Sequence, residues 1–265
     1  EYFKGCRCDL MISIKSKTEI EYMKRSGEVV AIALEKLKEM IKPGITTLEL
    51  DMLAEEIIRK SGAIPSFKGY EGLPGAERFP GSICTSINNE IVHGIPGLRM
   101  LKDGDIISID IGACLNGYHA DAARTFPVGN ISEKAKRLID VTRQSFFEGI
   151  KHAVKGNRII DISGAIQDYV ESNGYSVIRE YVGHGIGTQM HEAPQIPNYR
   201  TRERGPRLGA GMTLAVEPMV NEGDYHVKLL DNKWTVVTMD GSLSAHYENT
   251  IAVTEGEPII LTKLN

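Results

Sequence analysis

Five side chains stand out because their types suit divalent cations and because most sit where charge is out of place. Asp110 and Asp121 flank the dipeptide Asn116-Gly117, a two-residue hairpin signal. With a turn there, residue 112 faces 121 and residue 110 faces 123, so strand alternation puts both aspartates on one face as diagonal neighbours. An acid in mid-strand among Ile106, Ile107, Ile109 and Ile111 is costly unless something compensates it. For this hairpin alone, an exposed polar face explains the pair equally well. His184 and His191 lie in the glycine-rich stretch from Gly183 to Pro194, where glycine lets the backbone pass close to something else. Glu217, in Leu214-Ala215-Val216-Glu217-Pro218-Met219, and Glu248, before Asn249-Thr250-Ile251-Ala252-Val253, repeat the oddity of an acid within an apolar strand pattern.

Each position alone is weak, since a lone histidine is more often a hydrogen-bonded structural residue. Together, Asp110, Asp121, His184, Glu217 and Glu248 form an oxygen-rich set suited to hard or borderline divalent metals. Four carboxylates in one cleft repel one another, and two divalent cations supply four positive charges to offset them. Two such ions, roughly 3.5 to 4 Å apart, hold a bridging water and lower its pKa toward neutrality. That is the machinery of metal-assisted hydrolysis.

The elements that must position these groups can be read from periodicity. Capping-box spacing (Ser16 with Glu19, Thr18 with Glu21) opens a long amphipathic helix from Lys17 to Met40. A second helix starts at Thr46 or Thr47 and ends at Ser61-Gly62. Strand-like runs follow at Ile83 to Ile87, Glu90 to His93, Asp105 to Ala113 and Tyr118 to Phe126. Helical spacing returns from about Ser132 to Val154 and from about Asp161 to Asn173, before strand-like runs at Tyr175 to Tyr181, Met212 to Val220, Trp234 to Met239 and His246 to Val253. Sliding the chain on itself by 112 residues superposes Gly44 on Gly156, Leu50 on Ile162, Ile58 on Val170 and Gly62 on Gly174. Any two amphipathic helices can be phased to match, but both helix ends also coincide. The pattern predicts two αβ halves sharing one continuous sheet, helices on one face and a cleft on the other.

Composition narrows the class. The 265 residues are 42% hydrophobic, with 31 Lys+Arg against 35 Asp+Glu and a formal charge of −4. That supports a large buried core and argues against disorder. A mildly acidic chain without a long basic block gives no footprint for nucleic-acid readout. No run approaches the roughly 18 to 20 apolar residues of a membrane span. Four cysteines (Cys6, Cys8, Cys84, Cys114) form no spaced framework, so a reducing cytoplasm is the default expectation. Residues 1–10 read as a cloning-derived or disordered leader, with Met11 as the natural start.

From Met11 onwards the chain resembles the type I methionine aminopeptidases of the pita-bread metallopeptidase family. The resemblance is carried by Gly183-His184-Gly185-Ile186-Gly187 through His191, by His93-Gly94-Ile95-Pro96 and by Val216-Glu217-Pro218-Met219. It implies an α+β pita-bread fold, one catalytic domain over 11–265 with halves of about 17–127 and 131–255, and a mainly antiparallel curved sheet. It implies removal of the initiator methionine from nascent polypeptides, mainly when the second residue is small. Two divalent ions (Co, Mn, Fe, Zn or Ni) are implied as cofactors, with Asp110 on one metal, Asp121 and Glu248 as bridges, and His184 with Glu217 on the other metal. Glu217 is also the proton shuttle, His191 steadies the oxyanion and His93 contacts the scissile amide. His93 could instead merely hydrogen-bond a turn. The methionine pocket is implied to draw on Tyr70, Cys84, Met190 and Trp234, with Phe67 and Phe79 beside them, although each such residue is more often plain core. Departures are an insertion at Gly75-Ala76-Glu77-Arg78, Met190 where an aromatic is frequent, and His246 where a Gln is frequent. A monomer with transient ribosome contact and no membrane partner completes the expectation. The rival readings are a pita-bread peptidase cleaving Xaa-Pro bonds, which usually carries an extra amino-terminal domain, and a non-catalytic peptide- or ribosome-binding relative, which typically loses ligands.

Overall fold

Local capping chemistry sets where the helices begin, and a computed structural model describes the result for residues 11–264. The leader expected over 1–10, with Cys6 and Cys8, lies outside the described residues. Helices α1 (Lys17–Met40) and α2 (Thr47–Lys60) each start at a capping box, Ser16 with Glu19 and Thr46 with Glu49. Strands β1 (Ile64–Pro65), β2 (Ile83–Ile87), β3 (Glu90–Val92), β4 (Ile106–Leu115) and β5 (Tyr118–Pro127) follow. A second helix pair, α3 (Glu133–Ile150) and α4 (Ile159–Ser172), precedes β6 (Ser176–Val177), β7 (Gly183–Gly185), β8 (Glu192–Ile196), β9 (Thr213–Val216) and β10 (Met219–Asn221). The chain closes with β11 (Val227–Leu229), β12 (Val236–Thr238), β13 (Ser244–His246), β14 (Asn249–Ala252) and β15 (Ile259–Ile260).

The internal offset is present in the backbone. Helices α2 and α4 are both 14 residues long and begin at 47 and 159, and β1 and β6 begin at 64 and 176, the same 112-residue spacing. Gly44 and Gly156, with φ of 92° and 93°, lead into the two helices in a conformation that favours glycine. Helix α4 starts two residues before Asp161, because the Asp161 carboxylate accepts the backbone N–H of Arg158 from inside the first turn rather than from the cap.

Each half buries its own core on the helix side. Leu34 and Leu37 of α1 and Leu50 and Ile58 of α2 pack on Ile83, Ile107, Ile109 and Ile111. Leu138, Phe146, Ile162 and Ile166 pack on Leu214, Val216, Val220 and Ile251. The continuous sheet expected from sequence is instead four hydrogen-bonded ladders, all antiparallel: β1, β2 and β5 around β4; β13-β10-β6; β11-β12-β3; and β15-β14-β9-β7-β8. Pro218 is one reason, since it has no N–H to continue a ladder between β9 and β10. Beside the acids the halves are joined by single bonds, Glu248 N–H to the Ala123 carbonyl (2.9 Å) and the Thr250 hydroxyl to both N–H and C=O of Asp121 (2.9 Å each), while farther along the seam β3 of the first half pairs with β12 of the second. Among the described residues, no helix is long and apolar enough to cross a membrane.

Gly27 on α1 lies under the C-terminal segment, where an added Cβ would fall on the carbonyl oxygen of Leu261. Helix propensity alone makes Gly27→Ala stabilising by ~1 kcal/mol. Overpacking against an immovable backbone atom costs ~1–3 kcal/mol and wins. The variant should unfold at lower urea concentration than wild type; an unchanged or raised midpoint would show that this contact gives way.

Candidate metal centre

The five ligand-type side chains reach one place by four separate devices. On β4, Ile107, Ile109 and Ile111 enter the first core, so alternation turns Asp110 to the opposite face. The hairpin pairs Gly112 with Asp121 and Asp110 with Ala123, as the Asn116-Gly117 turn predicts; those two residues have φ of 54° and 81°. His184 sits on β7 opposite Ala215, in a strand that the sequence pattern did not reveal. Its flanking glycines explain the short strand: a Cβ on Gly183 would strike the Ala215 carbonyl and one on Gly185 the Ala193 carbonyl, so only glycine admits both neighbouring strands.

Glu217 and Glu248 are not inside strands, as the apolar runs suggested, but in breaks between them. Val216 pairs with Asn249 before the break and Met219 with His246 after it, so one register runs through and sets Glu217 opposite Glu248. At this point both chains leave the five-stranded ladder and enter the three-stranded one. The Glu217 carbonyl accepts from Asn198 Nδ2 at 2.9 Å, which secures the irregular segment.

Asp121, His184 and Glu248 are buried, and ligand atoms of the three lie within 4.8 Å of one another. His184 Nε2 is 3.9 Å from Asp121 Oδ2 and 3.6 Å from Glu217 Oε1. His184 Nδ1–H donates to the Gly185 carbonyl at 2.8 Å, which leaves Nε2 as a lone pair facing the acids. Asp110 Oδ1, Asp121 Oδ1 and Glu248 Oε1 are buried without a hydrogen-bond partner. Burial first, and then mutual repulsion, holds Asp121, Glu217 and Glu248 well above the ordinary carboxylate range; burial raises Asp110 as well. Acidic oxygens left over beside a free imidazole nitrogen are the donor set of a divalent cation, so the residues fit such a group.

Two further histidines border the cluster. The His191 ring lies 4.2 Å from that of His184, and its Nδ1 is 2.6 Å from the Tyr70 hydroxyl. Tyr70, expected as a pocket wall, thus also orients His191. His93 has φ of 59°, and its ring is edge-on to Tyr181 at 5.7 Å and to Trp234 at 6.3 Å. Burial lowers its pKa to about 4, so the ring is neutral near pH 7. Phe67, Phe79, Cys84, Met190 and Trp234 fall in one apolar cluster, with Phe79 edge-on to Trp234 at 5.1 Å. The insertion at 75–78 docks there: Lys233 donates to the Gly75 carbonyl and Trp234 Nε1 to the Glu77 carbonyl, at 2.7 and 2.9 Å.

Some residues at the site were passed over in the sequence. His246, noted only as a departure from Gln, has Nε2 3.8 Å from Glu217 Oε2 and 3.9 Å from Glu248 Oε2. Its place two residues before Glu248 on an alternating run was the available signal. Lys15 pairs with Glu192, both side chains largely buried, bracing the segment that carries His191, and no local pattern marks a contact across 177 residues of chain.

The comparisons with known proteins agree with this geometry. A family model described as "Metallopeptidase family M24" matches residues 21–255. The methionine aminopeptidase of Clostridium perfringens is 58% identical over 252 residues, which covers 95% of this chain and 99% of that protein. The crystal structure of methionine aminopeptidase from Thermotoga maritima superposes with a TM-score of 0.92 at 47% identity, over 96% of this chain and 100% of that one. The Xaa-Pro dipeptidase from Bacillus anthracis matches less closely, with a TM-score of 0.75 at 25% identity over 95% of this chain and 62% of that one. This chain, two pseudo-two-fold-related α+β halves in the pita-bread arrangement, belongs to metallopeptidase family M24.

Proposed function

We propose that the chain is a methionine aminopeptidase, a metal-dependent hydrolase that removes the initiator methionine from new polypeptides, mainly when the second residue is small. The observation that carries this is the gathering of Asp110, Asp121, His184, Glu217 and Glu248 around unpaired buried oxygens, with His93 and His191 at the rim. We assign those five as holders of two divalent ions; Co, Mn, Fe, Zn and Ni all suit the donor set. Bound ions supply Lewis-acid polarisation of a carbonyl and a water acidified toward neutral pH.

The chain's own groups supply positioning and proton transfer. Glu217, at the edge of the acid cluster, takes a proton from the attacking water and returns it to the departing amine. The Tyr70 hydroxyl holds His191 at Nδ1; in our reading it donates there, so that the Nε2 N–H is left to meet negative charge developing on the scissile carbonyl oxygen. His93, held neutral by burial, contacts the scissile amide. The apolar cluster of Phe67, Phe79, Cys84, Met190 and Trp234, with Tyr70 at its edge, receives the methionine side chain. We read residues 11–265 as one catalytic domain with halves of about 17–127 and 131–255. We extend the proposal to a cytoplasmic monomer that meets nascent chains by transient ribosome contact.

Met-Gly-Met and Ala-Pro peptides offered side by side separate this reading from Xaa-Pro cleavage. Release of free methionine and no turnover of Ala-Pro is expected; turnover of Ala-Pro alone overturns the specificity. Chelator treatment should abolish methionine release and a divalent ion should restore it, and full activity in protein shown to be metal-free by elemental analysis would refute the metal centre. His191→Ala should keep its metal content and lower kcat by ~10²–10³-fold, the worth of one well-aimed donor. Equal loss of metal would make His191 a ligand instead.

A further inference from the structure

We infer that His246 is a positioning residue for the metal centre, a single N–H donor shared by the two glutamates; this rests on the reading of Glu217 and Glu248 as metal ligands. The imidazole is buried, with 2% of the residue exposed, and its Nε2 has no hydrogen-bond partner. It stands 3.8 Å from Glu217 Oε2 and 3.9 Å from Glu248 Oε2. Both neighbours are acceptors when ionised. A lone pair at Nε2 would face two carboxylate oxygens and be repelled by both, whereas an N–H there attracts both. These gaps are too narrow for a bridging water and close to a charge-assisted hydrogen bond with about 1 Å of movement.

The remaining oxygens point to the same division of labour. Glu217 Oε1 is the one near His184, at 3.6 Å, and Glu248 Oε1 is buried without a partner. Each glutamate therefore gives one oxygen to His246 and keeps another free for a cation. The backbone under His246 is held firmly: its N–H donates to Thr125 Oγ1 at 2.8 Å, its carbonyl accepts from the same hydroxyl at 3.0 Å, and β13 pairs with β10 at Met219. A fixed donor that restrains two carboxylates lowers the freedom they lose when an ion arrives, so it acts on metal affinity.

The test is activity-free. Co(II) affinity is measured by competition with a chromophoric chelator for wild type, His246→Ala, His246→Gln and His246→Met, with thermal unfolding of each metal-free protein as the folding check. His246→Ala should bind Co(II) ~10–100-fold more weakly. His246→Gln, which still carries an N–H donor, should stay within about threefold of wild type, as rescue of the donor requires. If His246→Ala does not fold, Gln against Met carries the same comparison, because both fill the space and only Gln donates. Wild-type affinity in the Ala or Met variant, or a Gln variant as weak as Met, overturns the inference. A wild-type chain that binds no Co(II) overturns the metal centre itself, and this inference with it.

Discussion

The structure turns on the repulsion among four carboxyl groups held out of water on one side of a sheet. Asp110, Asp121, Glu217 and Glu248 lie too close, and too deep, to be charged together without a counter-charge. Arg124 lies beside the cluster and eases the Glu248 carboxyl downward, but its hydrogen bonds go to the backbone carbonyls of Ala123 and Glu248 and the side chain of Asn249, and burial and repulsion still prevail. The arrangement is therefore unfavourable for the polypeptide by itself and becomes favourable when multivalent cations enter. Rigid strand registers maintain it, because a one-residue slip of the β4-β5 hairpin would send both aspartates into the helix-side core.

Around this centre, two kinds of support can be distinguished. Glycine provides proximity: Gly183 and Gly185 let three strands crowd around His184. Hydrogen bonds provide direction: the Gly185 carbonyl fixes the tautomer of His184, and the Tyr70 hydroxyl holds the ring of His191. The apolar side of the cleft is likewise braced from outside, since Trp234 is capped by Glu77 and packed on Phe79. A loop that looks like a disruption in the sequence thus helps to seat the largest aromatic of the cleft.

Much of this was legible in the residues. The Asn116-Gly117 turn fixed the hairpin register, and with it the shared face of Asp110 and Asp121, because a two-residue turn leaves no freedom of pairing. Ser16-Glu19 and Thr46-Glu49 marked helix starts because capping is a local interaction. What escaped was set by distant partners. Strand β7 carries no apolar alternation, and its identity depends on the carbonyls of Ala193 and Ala215. Strands β9-β10 and β13-β14 read as two long runs, because hydrophobicity continues through Glu217-Pro218 and Tyr247-Glu248 while the ladder does not. Apolar periodicity reports burial, and hydrogen-bond continuity is a separate matter. The role of Tyr70 toward His191 spans 121 residues of chain and leaves no trace in either neighbourhood.

The stitches between Ala123 and Glu248, and between Asp121 and Thr250, hold together a donor set that is divided between the halves. Neither repeat owns a complete set of donors: one offers two aspartates, the other an imidazole and two glutamates. The chamber therefore exists only where the two halves meet, and neither half by itself can complete it.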